Sequence, residues 1–469
     1  MKMKMLMIMS MTKKKTKMLM MNKIENLKIG VVSLGCAKNL VDTEAMLGLL
    51  DEKGAEIVTD PKNADVIIVN TCGFIDSAKE ESINTILEMA EYKNDKCRLL
   101  IMCGCLAERY SGEVLKEIPE VDAVCGTGDY LKIADVINSA LSGEKVCLSG
   151  HINEPIVDEK RIVSTGKTTA YIKIAEGCDN HCTYCIIPKL RGKYRSRPME
   201  SIIEEAKELA KNGVRELIVI AQDTSRYGID LYRKYRLADL LRKLAKIDDL
   251  VWIRVHYMYP EVIDDEIISV FKNEEKIVKY MDIPIQHAST DVLKRMGRKS
   301  TKEELYSLIE KLRREIPDIT IRTSLIAGFP GETEEDFKEL LEFVKKMKFD
   351  HLGAFAYSKE EDTPASLLPD QIPDEVKQER ADAIMEVQAE IALNNNREKI
   401  GKEITVLCEG YDMENLMYYG RSEGDSLDVD NLCYFASSEE TEIGSFVSVL
   451  VLDATQYDLT GRRVFDEED

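Results

Sequence analysis

The sequence predicts an α/β chain in three parts. A doubly wound parallel sheet comes first, then a run of β/α units making a parallel barrel or partial barrel, then a small all-β barrel. Between residues 28 and 142, apolar strand-like runs alternate with amphipathic helical patterns, the signature of a sheet wrapped by helices. Six further strand–helix units follow in succession over 168–393. From Gly401 onward, short β-rich runs are separated by Gly and Asp turns, which suits a small barrel. A length of 469 residues fits roughly three domains.

Residues 1–27 are expected to be a disordered tail or the product of a start codon set too far upstream, with Met20 or Met21 as the true start. Nine of the 20 methionines fall in the first 21 residues. A secretory signal is disfavoured, because the apolar segment 5–11 is short, flanked by lysines and lacks a small-residue cleavage site. No apolar run reaches the length needed to span a membrane. With no leader, the 12 cysteines read as reduced cytoplasmic thiols, several of them metal ligands.

In the first domain, strands are expected at 29–34, 65–70, 98–103 and 123–125, with helices at 39–50 and 76–91. The run 65–70 is almost wholly apolar, as a strand buried on both faces should be. Cys36, Cys72 and Cys105 each fall two or three residues beyond a strand, at gaps of 36 and 33 residues. In open α/β sheets the carboxyl ends of the strands form the binding crevice. Three thiols converging there suit an iron–sulfur cluster with three protein ligands. Cys103 competes with Cys105, since residues two apart in a strand share a face. Cys97, Cys125 and Cys147 read as ordinary small buried thiols.

Residues 143–167 read as a linker with Gly150, Pro155 and Gly166. In the second domain, strands are expected at 171–175, 216–221, 252–257, 280–285, 320–327 and 352–357, and helices at 201–211, 231–245, 302–314 and 334–347. Barrels carry their chemistry on the loops after the strands. The residues at the ends of these strands are polar or glycine: Gln222 and Asp223, Gln286 and His287, and Gly328, Gly331 and Glu332 follow theirs, and Tyr357 and Ser358 close the sixth. His287 reads either as a general base or as a hydrogen-bonded structural histidine. Residues 373–399 form a polar, helix-favouring connector, and 401–464 form the last domain, with strands at 404–408, 417–421 and 445–452.

The net charge of −21 is concentrated at the carboxyl end. Residues 401–469 hold four Lys/Arg against 17 Asp/Glu, a local balance of −13. Such a module attracts basic proteins and repels phosphate backbones; the alternative is a merely well-hydrated acidic surface.

The loop after the first strand of the second domain holds Cys178, Cys182 and Cys185 in the spacing C-x3-C-x2-C. Three thiolates can hold three irons of a [4Fe–4S] cube and leave the fourth open. An electron carrier normally supplies four cysteines, and the next one here is Cys408. A zinc site would need His181 as its fourth ligand, and chance is a third reading. Arg191, Lys193, Arg195 and Arg197 form a basic patch beside this loop, either neutralising cluster or substrate charge or simply solvated.

The triplet, with Tyr184 before its last cysteine, resembles the signature of the radical S-adenosylmethionine (SAM) superfamily. The longer run 176–198, EGCDNHCTYCIIPKLRGKYRSRP, resembles the methylthiotransferase branch of that superfamily. So do the phrases around Cys36 (SLGCAKN), Cys72 (NTCGF) and Cys105 (GCLA), and the resemblance covers nearly all of 28–464. It implies an open six-unit barrel and a carboxyl-terminal TRAM module. It also implies two [4Fe–4S] clusters, on Cys178, Cys182 and Cys185 and on Cys36, Cys72 and Cys105. SAM would chelate the open iron of the first and be cleaved to a 5′-deoxyadenosyl radical, with Tyr184 near its adenine and Gln222, Asp223 and Gly328 bordering its pocket. Sulfur would leave from the second cluster, and a second SAM would give the methyl group.

Two branches share these parts. One modifies an adenosine beside the tRNA anticodon; the other modifies the β-carbon of an aspartate in the twelfth small-subunit ribosomal protein. EGCDNHCTYCIIPKLRG, AQDTSRYG and VSLGCAKNLVDTEAMLG resemble the second. The acidic terminal domain agrees, since tRNA binding needs Lys/Arg contacts to phosphate and this module lacks a basic face. The expected partners are therefore a basic ribosomal protein, free or in the subunit, and an electron donor of flavodoxin or ferredoxin type. Nucleic acid enters only as part of the ribosome. A non-enzymatic iron–sulfur carrier is the reading from a different class, and two incomplete ligand sets argue against it.

Overall fold

The computed structural model describes residues 24–157 and 160–465; the expectation of a disordered tail falls, through residue 23, outside the described residues. The chain divides into two compact units. The first takes the chain up to Ser164 together with Glu176–Asn180 and Cys185–Arg195; the second takes Thr165–Ala175, His181–Tyr184 and everything from Ser196 onward.

The first unit is built on a six-stranded, wholly parallel sheet in the order Glu56–Val58, Lys28–Ser33, Val66–Thr71, Leu99–Gly104, Ala123–Cys125, Val146–Leu148. Val66–Thr71 and Leu99–Gly104 are buried along their whole length, as near-continuous apolar runs between two helical layers must be. Their side chains alternate between two cores. Ile68 and Ile101 join Met46, Leu50, Ile133 and Ile137, and Ile67, Val69, Leu100 and Met102 join Ile86, Met89, Leu106 and Val114. The two edge strands carry no sequence signal. Each is three residues long, too short to display a period, and Val146–Leu148 lies in the stretch that reads as linker.

In the second unit, six parallel strands stand side by side in sequence order, Thr169–Lys173, Glu216–Ile220, Trp252–Val255, Ile277–Asp282, Thr320–Ala327 and His351–Ala356. They form an open sheet, the partial (β/α)6 arrangement. The fourth strand begins three residues earlier than its apolar pattern suggests and stops at Asp282; Pro284 follows, and a proline has no amide to extend a ladder. The helix expected over 231–245 is split into Ile229–Tyr232 and Leu237–Leu244, with Arg233 between them at a left-handed φ of 59°. The connector is a single helix, Asp374–Arg397. It leads to a closed five-stranded barrel of Glu403–Asp412, Met417–Ser422, Cys433–Ala436, Leu459–Val464 and Phe446–Ala454. Among the described residues, no helix is long and apolar enough to cross a membrane.

One segment of the small barrel, 421–430, meets a side chain from each of the six strands of the open sheet, and Leu407 and Phe446 of the barrel pack against Trp252, Val278 and Tyr280. The Tyr171 hydroxyl donates to Leu427 O, Arg254 to Glu423 O, and Tyr280 to Asp430. Arg322 pairs with Asp430, and the His351 ring bonds Gly424 O. Arg421 pairs with Glu216 at 2.5 Å, and Arg254 pairs with the same carboxylate at 3.0 Å. Burial alone would raise the pKa of Glu216, but Arg421 and Arg254 outweigh it and hold the group at about 2.

Arg421→Met should therefore cost roughly 2–3 kcal/mol in denaturant unfolding, less than the penalty for fully stranding a buried charge, because Arg254 still pairs with Glu216. Glu216→Gln added to it should deepen the loss, because it leaves the fully buried Arg254 with no carboxylate beside it. The sign with pH follows from the depressed folded value. The contribution of Glu216 is fully present above its unfolded value near 4.5 and fades as pH falls through about 2.

Candidate functional site

Three cysteine-bearing loops leave the carboxyl edge of the first sheet. Cys36 is the N-cap of helix Ala37–Glu52, and Cys105 is the first residue of helix Cys105–Glu117. Helix N-termini favour negative charge and thiolates. Close packing of the loops depends on glycine. Gly35 has φ +87°, and a Cβ there would fall 2.8 Å from the Cys72 Cβ. A Cβ on Gly73 would fall 2.8 Å from the Leu106 amide nitrogen, beside Cys105.

Asn39 ties the three loops together. Its amide nitrogen donates to Leu34 O at 3.0 Å and to Thr71 O at 2.9 Å, just before Cys36 and Cys72 respectively. Its side-chain oxygen accepts from the Cys105 thiol at 3.7 Å and from Arg191. Asn70 fixes Asn39 in turn, donating to its carbonyl at 2.9 Å and to Thr43 Oγ1 at 2.8 Å. Ser82 clasps the backbone of Cys72 through both its amide and its carbonyl.

The three thiols act on one another electrostatically. Burial pushes Cys105 up to about 12 against the pull of Arg191. Burial also pushes Cys72 up. For Cys36, burial is outweighed by Lys38, Arg191 and the amides of Asn39 and Lys38, so its thiol is held below the ordinary value. Cys36 is also the exposed member of the three. Cys103, the sequence competitor of Cys105, is fully buried in a different cluster, among Ile68, Ile101 and Cys125.

Of the second set, Cys178 and Cys182 are buried and Cys185 is partly exposed. Cys178 and Cys185 belong to the first unit and Cys182 to the second. The Cys178 amide donates to Gly192 O, and its sulfur accepts from the Asn180 amide. Thr183 is held by three bonds: its amide to Met296 O, its hydroxyl to Arg295 O, and its carbonyl accepting from Ala365. Tyr184 packs half-buried against Val292, Met296, Phe329, Tyr357 and Ala365. His181 is exposed. Among the described residues, no group of three or more His, Cys, Asp or Glu stands ready to hold a metal ion.

Sequence reasoning missed the surroundings of Cys182. Its sulfur lies 3.7 Å from the Tyr259 hydroxyl. The Tyr259 amide donates to Ser225, and Ser225 donates to the buried Asp223 carboxylate at 2.5 Å. Asp223 is thus connected to Cys182 through two residues. Arg298 lies over the Tyr259 ring, 4.1 Å from its centroid; its Nε pairs with Glu261 at 3.6 Å, and its Nη1 has no hydrogen-bond partner among the described residues. Burial disfavours the charge of Arg298, but Tyr184, Tyr259, Glu261 and Cys182 more than offset it. Gly328, at φ +73°, donates its amide to Glu332 at 2.8 Å and faces Lys377 across a space no Cβ could occupy. His287 accepts from the Ser289 amide through Nδ1, and its buried Nε2 lies 3.4 Å from Glu332 without a hydrogen bond. Gln222 is partly exposed beyond the second strand.

The basic patch resolves into separate roles. Arg191 is buried and pairs with Asp42 at 2.7 Å and Glu176 at 3.0 Å. Arg197 is buried and pairs with Glu205. Neither is a solvated loop residue.

Comparison with known proteins defines the class. Residues 172–344 match the radical SAM superfamily, 28–126 match the uncharacterized protein family UPF0004, and 400–464 match the TRAM domain. A solved radical SAM methyltransferase, TsrM from Kitasatospora setae, shares the fold at a TM-score of 0.55 and 14% identity, over 73% of this chain and 77% of that one. This is a radical SAM enzyme, and that class implies a [4Fe–4S] cluster and SAM. The ribosomal protein uS12 methylthiotransferase RimO of Clostridioides difficile (strain 630) is 54% identical over 94% of this chain and 99% of its own length. That of Acetivibrio thermocellus is 51% identical over 92% and 98%. The chain belongs to the RimO family of methylthiotransferases.

Asn39→Leu should leave the Leu34 and Thr71 carbonyls unpaired and cost about 2–3 kcal/mol in unfolding. It should also speed alkylation of Cys105 by a thiol reagent in the metal-free protein. An unchanged midpoint and labelling rate would remove Asn39 from its place at the centre of the three loops.

Proposed function

We propose that this chain transfers a methylthio group to the β-carbon of an aspartate in the twelfth small-subunit ribosomal protein, in the cytoplasm. Identity of 51–54% over nearly the full length of named uS12 methylthiotransferases is the observation that carries this reading. In this reading Cys178, Cys182 and Cys185 hold one [4Fe–4S] cluster and Cys36, Cys72 and Cys105 a second, in domains spanning 168–393 and 28–142, with a TRAM domain at 401–464. The bound groups supply a radical and a methyl group from SAM, and sulfur through the second cluster; an electron donor of flavodoxin or ferredoxin type feeds the first.

The donor chemistry fits. Thiols are the ligands that iron–sulfur clusters take. In the first unit, two of the three sit at helix N-termini, and Arg191 and Lys38 bring positive charge to them. In the second unit, Tyr184, Gln222, Asp223 and Gly328 are assigned to the SAM pocket. Asp223 braces Tyr259 against Cys182. Arg298 carries a buried Nη1 without a hydrogen-bond partner among the described residues, beside Tyr259, suited to an anionic cofactor group.

The terminal module supports a basic partner. Asp425 and Asp430 are spent on the open sheet and Glu409 on Arg421. Glu403, Glu414, Glu423, Asp428, Glu439, Glu440, Glu442 and Asp453 remain exposed, so the outward face stays strongly acidic. Opposite charge accelerates encounter with a basic protein and disfavours RNA.

Anaerobic reconstitution should give about eight irons per chain, as two cubes require. The protein should add a methylthio mass to the ribosomal protein and release 5′-deoxyadenosine. The Cys36, Cys72 and Cys105→Ala variant should keep about four irons and still cleave SAM, but yield no methylthiolated product. Intact methylthiolation in that variant would refute the second-cluster role. A thiomethylated tRNA nucleoside would move the substrate to RNA, and no 5′-deoxyadenosine from the reduced parent would leave only a carrier.

A further inference from the structure

We infer that Arg191 is a positioning residue for the second cluster: its guanidinium holds the Cys105 sulfur in place and raises the reduction potential of the iron bound there. This rests on the reading of Cys36, Cys72 and Cys105 as cluster ligands. Arg191 lies six residues after Cys185 in the chain, yet it is 2% exposed and faces the cysteine edge of the first sheet. One arm of its fork, Nη1, is spent on carboxylates, Asp42 Oδ2 at 2.7 Å and Glu176 Oε2 at 3.0 Å. The other arm, Nη2, goes to Asn39 Oδ1 and to Cys105 Sγ at 3.7 Å. The backbone around it is also anchored at Cys105. Ile186 and Leu190 pack against that residue, and Leu190 O accepts from the buried Thr127 hydroxyl.

A plain structural ion pair would need only the first arm. The second arm places an N–H donor on a ligand sulfur and a positive charge within the reach of Cys36 as well. Both stabilise the more electron-rich state of a cluster, and second-shell donors of this kind set the potentials of iron–sulfur centres. The planar fork matters. A lysine carries the charge but cannot bridge a carboxylate and a thiolate with two fixed arms. Asn39 shares the same nitrogen, so the residue that gathers the three loops also orients the donor.

The test uses the full chain with Cys178, Cys182 and Cys185→Ala, so that iron reports on the second site alone. Redox titration followed by electron paramagnetic resonance is run with Arg191, Arg191→Lys, Arg191→Gln and, separately, Asp42→Asn. Arg191→Gln should lower the potential and change the spectrum, Arg191→Lys should give a smaller shift, and Asp42→Asn should leave the potential level or raise it. A merely structural ion pair predicts the same direction for Arg191→Gln and Asp42→Asn. If Arg191→Gln loses its iron while Asp42→Asn keeps it, the inference is also supported. With the triplet restored, Arg191→Gln should lose methylthiolated product at least tenfold more than it loses 5′-deoxyadenosine.

An unmoved potential and spectrum in an iron-loaded Arg191→Gln protein overturn the inference and leave the second cluster standing. A parent lacking the triplet that binds no iron overturns the second cluster itself, and the inference with it.

Discussion

A guanidinium shut away from water has to be matched by acceptors on every side, and in the first unit that requirement organises the cysteine edge. Burial works against the charge of Arg191; Glu176 and Asp42 offset it and hold it protonated. Those two carboxylates come from the segment before the second cysteine set and from the helix behind Cys36, so one cation draws distant parts of the chain to a single point. Asn39 completes the arrangement by satisfying two backbone carbonyls and one arm of the arginine at once. The parallel sheet delivers the three loops to one edge, and the polar cluster decides how closely they approach.

Glycine supplies the remaining freedom. Gly35 and Gly104 adopt left-handed backbone angles beside the sheet edge, and a side chain at Gly104 would collide with Asn70 Oδ1 and Thr71 O. The cysteines can therefore be crowded without strain only because the residues next to them lack a Cβ. In the second unit the equivalent crowding around Cys182 is done by aromatic and hydroxyl side chains, with Tyr259, Ser225 and Asp223 forming a line from the sulfur to the end of a strand.

The sequence was most readable where a physical period or a reactive residue type repeats. The buried strand Val66–Thr71 declares itself as an apolar run, the acidic start of Glu334–Met347 with its Thr333 capping box declares a helix, the triplet Cys178, Cys182 and Cys185 stands out by its spacing, and Cys36, Cys72 and Cys105 stand out by their places just after strands. Val146–Leu148, Cys433–Ala436 and Leu459–Val464 were silent, because short edge or barrel strands are defined by their neighbours and not by their own pattern. Asn39, Tyr259 and Arg298 were silent for another reason. Each acts through residues far away in sequence, and nothing in an isolated Asn, Tyr or Arg tells which carbonyl, sulfur or ring it will meet. The net charge of the last domain was legible only in sum, since burial had already assigned Asp425 and Asp430 to internal partners.

The segment 421–430 has a mechanical meaning for recognition. A module joined only through the helix Asp374–Arg397 could pivot about that stalk, whereas one also seated across six strands is attached at two places and loses its hinge. Asn396, near the end of the helix, further bonds the barrel at Thr455 O. The acidic outer loops are consequently carried at a set range from the open sheet, as in a jig, instead of swinging on a tethered arm.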